Sequence, residues 1–329
     1  ANSDNSDKFI NKGISALRQQ SLKALNSIFQ IIGQDVPWND YIDQIFNIVI
    51  KPRIPDFATE NLQSPSSLLK IIIYWTTEKE FYPFLYHDDY ASIKIIMDTL
   101  SNEHAKESVV SFILEGANQL IQSPSSDDKY VELVALIAST CLQILPKLYQ
   151  RFTTSTAIST AVDLLLKMTE LGYVQDNETR KYLLESLYFM LASSFKNVSK
   201  PDVSNILKIM SNLISEYDCQ LADVEPIFVE TAKLLQTFTE KGLRLAAVSI
   251  ISSIAAKFSE FTYISNLVAD LNSYSTKRMH EYDFPRILSA FEQFCEKDYA
   301  SLSDIQWLPV LHTCLFYIKD EEELALRTN

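Results

Sequence analysis

Residues 243–258 read LRLAAVSIISSIAAKF. Within them Leu243, Ala246, Ala247, Ile250, Ile251, Ile254, Ala255 and Phe258 recur at intervals of three and four, which sets them along one stripe of an α-helix. The alanines on that stripe predict close approach by a neighbouring helix. The same grammar runs outward in both directions. Apolar residues repeat at helical spacing nearly end to end, in segments broken by short Ser, Asn, Asp and Pro runs. The chain has 5 glycines in 329 residues, too few for a fold built on tight hairpins.

Toward the N-terminus, residues 14–32 form a predicted helix with Leu17, Leu22, Leu25, Ile28, Phe29 and Ile32 on one side. Residues 1–12 lack apolar periodicity and read as a flexible lead-in. Pro37 opens a second helix that ends before Lys51. Pro52 and Pro55 remove two donors and restrict their predecessors, so residues 51–65 read as an ordered, extended connector. Ser64-Pro65 is the expected start of the next helix, which carries Leu68, Leu69, Ile72 and Trp75. Further helices are expected near 130–150, 153–171 (closed by Gly172) and 177–195. Ser199 and Asp202 are spaced as a capping box for a helix whose inner face is Val203, Ile206, Leu207, Met210, Leu213 and Ile214. Helices at 223–242, 261–275, 282–297 and 303–318 complete the series. The total of about sixteen helices, about forty residues per pair, fits the HEAT or armadillo period. The expected fold is therefore all-α, an α-solenoid of HEAT/armadillo-like helix pairs continuous over 13–329. The acidic, weakly apolar end from Asp320 to Asn329 reads as a segment cut from a longer array.

An apolar fraction of 47% with 11% aromatic residues is enough for a continuous core. The net charge of −13 disfavours broad binding to a phosphate backbone, since counterion release needs cations on the protein. Cys141, Cys219, Cys295 and Cys314 are widely and irregularly spaced and read as reduced, packed side chains. No apolar run is long enough to span a bilayer, so no membrane partner is expected.

Catalytic patterns fail position by position. His280-Glu281 begins like a zinc-protease motif, but Phe284 stands where the second histidine is needed. Asp88-Asp89 and Asp127-Asp128 lack a third carboxylate, with Ser92 and Val131 in the required places, and read as helix starts. The glycines are isolated, which excludes a phosphate loop. No enzyme, cofactor, metal or small-molecule substrate is expected. Lys51, Arg53, Lys277 and Arg278 are the compact basic spots. They are candidate contacts to RNA phosphate or an acidic partner, or else solvated loop charges.

Three stretches carry a resemblance: IKPRIPDFATENLQSPSSLLKIIIYW (50–75), EYDFPRILSAFEQF (281–294) and WLPVLHTCLFYIKDEEELALRTN (307–329). Together they resemble the giant HEAT-repeat protein of the small-subunit processome, the family named for down-regulation in metastasis (DRIM). The resemblance implies a segment of a nucleolar, non-catalytic scaffold that is needed for pre-rRNA processing and for making small-subunit rRNA. Its implied partners are processome proteins and the pre-rRNA and small nucleolar RNA particle, touched indirectly through this segment. The alternative is a karyopherin-like transport receptor, also an acidic HEAT array, or another HEAT-type adaptor.

Overall fold

The computed structural model describes residues 2–32, 36–122, 127–152, 156–193, 195, 198–276, 281–296 and 302–319. It is all-helical, with 81% of residues in helix and no strand among the described residues. The helices divide between two compact units, Ala1–Leu164 and Leu165–Asn329, the division falling inside α8 (Thr156–Glu170).

The first unit opens with α1 (Asn2–Ile32). The structure thus starts helix at Asn2, inside the stretch read from sequence as a lead-in. Short elements follow: α2 (Ile42–Ile45), a π-helical turn at Phe46–Ile50, a 3-10 helix at Lys51–Asp56, and α3 (Phe57–Glu60). The segment from Lys51 is therefore wound into helix and not extended. Prolines still dictate its form. Pro52 has no N–H for the Ile48 carbonyl, so the helix first widens, with the Lys51 N–H reaching back to the Phe46 carbonyl. It then tightens into 3-10 turns.

α4 (Ser67–Tyr74) begins two residues later than expected. Ser66, not Ser64, is the cap: its backbone is extended and its hydroxyl accepts from the Leu69 N–H at 3.2 Å. The buried Asn61 side chain locks this start, accepting from the Ser66 N–H at 2.8 Å and donating to the Phe57 carbonyl at 2.8 Å. α5 (Tyr82–Ser101), α6 (Glu107–Gln122) and α7 (Asp128–Arg151) complete the unit. α5 is two helices joined by a left-handed turn, with φ of 48°, 54° and 59° at Asp88, Asp89 and Tyr90. That region is costly for residues with a Cβ. The Tyr90 hydroxyl, donating to Glu132 of α7 at 2.5 Å, and the Lys94–Asp89 ion pair hold the turn.

An aromatic cluster forms the core of this unit. Phe29 of α1 stacks on Trp38 at 4.4 Å and meets Trp75, Phe81 and Phe84 edge-on at 5.4–5.7 Å. Such pairs contribute about 1 kcal/mol each beyond the burial of their area. They anchor the C-terminal half of α1 to α4 and α5. Helices also pack on the next but one: α3 on α5, α4 on α6 and α5 on α7. Gly116 brings α6 down onto Ile73 of α4, where a Cβ would lie 2.7 Å from Ile73 Cδ1.

The second unit holds α9 (Asn177–Ala192), α10 (Lys200–Glu216), α11 (Leu221–Thr237), α12 (Lys241–Lys257), α13 (Thr262–Leu271), α14 (Phe284–Cys295) and α15 (Leu308–Lys319). Next-but-one packing recurs, α9 on α11, α10 on α12 and α13 on α15, while α11 also lies against α15. Small residues make the α10–α12 contact: Ser211 meets Ser249 at 2.9 Å and Ser253 at 2.8 Å. The stripe read from 243–258 is buried at Leu243, Ala246, Ala247, Ile250, Ile251, Ile254 and Ala255. The helix expected to reach Ser275 stops at Leu271, because Tyr274 forms an isolated antiparallel bridge with Tyr282. Pro309 falls in the first turn of α15, where a missing N–H costs no helical bond.

Candidate interaction surfaces

Of the four basic candidates, the structure places two and brings them together. Lys51 is exposed at the start of the 3-10 helix. Arg53, two residues on, is half-buried and pairs with Glu60 of α3. Arg53 is therefore partly neutralised, and Lys51 is the freer cation of the two. Lys277 and Arg278 lie outside the described residues, as does the acidic end from Asp320 to Asn329. The flanks of that second pair are ordered by backbone: the Ser275 N–H donates to the Glu281 carbonyl at 2.8 Å and the Asp283 N–H to the Ser273 carbonyl at 3.1 Å.

Arg53 also helps line a groove of about 440 Å³ between α1 and the π/3-10 segment. Its walls are Ile14, Leu17, Leu22, Leu25, Ile48 and Val49, with Arg18 and Arg53 as its charged groups. The groove corrects the sequence reading of α1. Leu17 and Ile28 were assigned to the inner side, yet they are exposed, Leu17 by 71%. The physical reason is that contact with the rest of the unit is concentrated on Phe29 and the half-buried Leu22 and Leu25. α1 has more apolar residues than that one line of contact uses. The signal was present in the sequence, as two apolar stripes on one helix, but periodicity read at a single face merges them.

The second unit carries a smaller hollow of about 210 Å³ between α9 and α11, walled by Leu184, Tyr188, Tyr217 and Ile227. Lys181 and Asp223 face each other across its mouth at 3.4 Å. The Asp223 carboxyl is held below the usual carboxylate range, first by the Gln220 N–H it accepts at 2.9 Å and then, against a smaller opposing effect of burial, by Lys181. Asp223 is thus occupied in capping α11, and this pair reads as structural.

Of the four cysteines read from sequence as packed, Cys141 and Cys219 are buried, Cys314 is half-buried and Cys295 is exposed. The His312 ring hydrogen-bonds Gln236 of α11 at 3.0 Å. Burial pushes the Cys141 thiol up to about 12, so this cysteine is inert at neutral pH. No group of three or more metal-ligating side chains converges among the described residues. No helix among the described residues is long and apolar enough to cross a membrane.

Comparison with known proteins gives a family. The model of the family described as U3 small nucleolar RNA-associated protein 20, N-terminal, matches residues 1–329. The U3 small nucleolar RNA-associated protein 20 of Saccharomyces cerevisiae is 45% identical over 320 residues, covering 97% of this chain and 13% of that protein. The Schizosaccharomyces pombe protein of the same name is 28% identical over 328 residues, covering 95% of this chain and 13% of that protein. The chain therefore spans only a small part of the length of these relatives.

Proposed function

Because the chain belongs to the family described as U3 small nucleolar RNA-associated protein 20, N-terminal, we propose that it is a non-enzymatic scaffold segment of the small-subunit processome. In this reading it acts in the nucleolus, in pre-rRNA processing and small-subunit biogenesis. The observation that carries the proposal is the 45% identity, over nearly all of this chain, to a protein named for association with U3 small nucleolar RNA. Helices that pack on the next but one within each unit support the HEAT-type solenoid, since that is how stacked helix pairs meet. The resemblance to the DRIM family agrees.

The mechanism is positional. Each helix pair contacts its neighbours, so the array bends elastically and holds partners at set separations without a hinge. A net charge of −13 favours processome proteins as the direct contacts, with pre-rRNA and the small nucleolar RNA particle reached through them. Lys51, Arg53, Lys277 and Arg278 are the candidate points where an acidic partner or a phosphate is touched. The test is gradient sedimentation of nuclear extract carrying the tagged parent protein, with and without RNase. Co-migration with large particles that contain pre-rRNA, collapsing on RNase treatment, is expected. Slow sedimentation unchanged by RNase would overturn the proposal in favour of a transport receptor or adaptor.

A further inference from the structure

α1 carries an exposed apolar stripe with a period of its own. Ile14, Leu17, Ser21, Ala24, Ile28 and Ile31 follow one another at alternating steps of three and four, and all six are exposed, Ile31 by 78%. This is the 3.5-residue spacing by which one helix seats another. The centre of the stripe is small, at Ser21 and Ala24, and its ends are large. A second helix can thus approach closely at mid-length and be gripped at either end. The groove walled by Ile14, Leu17, Leu25, Ile48 and Val49 continues the apolar surface on one side. Scattered exposed apolar residues need no explanation, but a contiguous, periodic set does.

Charge says what covers it. From Lys8 to Ile32 the chain has four basic residues, Lys8, Lys12, Arg18 and Lys23, and no Asp or Glu. The whole chain has 29 basic and 42 acidic residues, so the remainder holds 25 against 42. Asp4 and Asp7 lie in the first turns of the same helix, so α1 as a whole carries four basic and two acidic residues, a net positive helix in a net negative chain. Arg18 stands in the groove itself, beside the Arg53 that Glu60 pairs. Two copies of α1 would set like charges against each other, which disfavours self-pairing. The described stripe offers Ile and Leu and no aromatic face on which a base could stack, which disfavours single-stranded RNA.

We propose that the outer face of α1 is a docking surface for an acidic amphipathic helix of a partner protein, its apolar residues spaced three and four apart. The inference stands on α1 and its groove alone and does not depend on the processome reading. Replacement of Leu17 and, separately, Ile31 by a photo-cross-linking amino acid in the full-length parent, expressed in its own cells, tests it. Both sites are exposed and outside the core, so folding is preserved. The expected result is a cross-linked peptide of net negative charge from another protein, with that apolar spacing, at both sites. The paired substitution Arg18→Glu and Lys23→Glu should lower the cross-link yield about fivefold or more. Cross-links to a second copy, to another segment of the same polypeptide, to RNA or to a basic peptide would overturn the proposal, as would absence of any product. Sedimentation of the same extracts reports the processome reading independently.

Discussion

Arg244 is the residue whose role the sequence conceals. It stands between Leu243 and Leu245 on α12 and is fully buried. Its guanidinium donates to the carbonyls of Leu235 and Phe238, at the C-terminal end of α11, at 2.7 and 2.9 Å. It also donates to Asn272 Oδ1 at 2.5 Å and lies 3.8 Å from the centre of the Phe316 ring. A cation at a helix C-terminus satisfies orphan carbonyls and meets the negative end of the dipole. Arg244→Met removes these bonds and leaves buried acceptors unpaired, at an expected cost of about 2–4 kcal/mol in urea unfolding. Arg244→Lys should recover little, because a single ammonium lacks the planar fork that reaches three acceptors. Ile250, on the same helix, is also fully buried. Ile250→Asp places an unpaired charge there and should cost upwards of about 3 kcal/mol, read as a large drop in Tm. An unchanged Tm would mean that the assigned face of α12 is wrong. His312 gives a pH dependence. Burial, then Lys233, lowers its imidazole below the ordinary 6.5. The unfolded chain therefore binds this proton more readily than the folded one, and stability falls as pH drops below about 6.5. In His312→Gln the fall in Tm between neutral and mildly acidic buffer should shrink.

At the scale of elements, the helices are bounded by their own residues. Asp127 accepts from the Lys129 N–H and begins α7; Asp176 accepts from the Thr179 N–H at 2.7 Å and begins α9. Ser199 accepts from the Asp202 N–H and begins α10. The Thr179 N–H bond holds the exposed Asp176 carboxyl below its ordinary range. Asp176→Ala should cost about 1 kcal/mol of stability, measured by thermal melting at neutral pH. Gly172, with φ of 75°, ends α8, the Tyr173 N–H reaching back to the Met168 carbonyl at 2.9 Å. These boundaries were legible because a cap is a local device. The turn at Asp88-Asp89-Tyr90 was not legible. Its sequence offers no glycine, and its left-handed backbone is held by Glu132, 42 residues further on.

At the scale of the whole molecule, charge is the property that acts over distance. A chain at −13 with pI near 4.8 repels nucleic acid except where cations gather. Its affinity for an unstructured RNA should be no better than ordinary non-specific binding, about 10⁻⁴ to 10⁻⁶ M at physiological salt, and should weaken further as salt rises. Filter binding across a salt series measures this. Tight binding insensitive to Lys51→Glu with Arg53→Glu would mean that RNA is gripped elsewhere on the surface.

The sequence by itself determined the all-helical class, the helix ends at Asp127, Gly172 and Ser199, and the buried stripe of 243–258, because helix spacing and capping are set by residues within one or two turns of each other. It did not determine which side of α1 meets the core, that Pro52 and Pro55 sit in a wound segment, or that Arg244 is sealed among carbonyls and rings. Those depend on which distant helices arrive at each surface. Phe29 finds Trp75 and Phe84, and Arg244 finds Asn272 and Phe316, across separations in the chain that periodicity does not see. Tertiary packing chose one stripe of α1 for the interior and left the other facing outward.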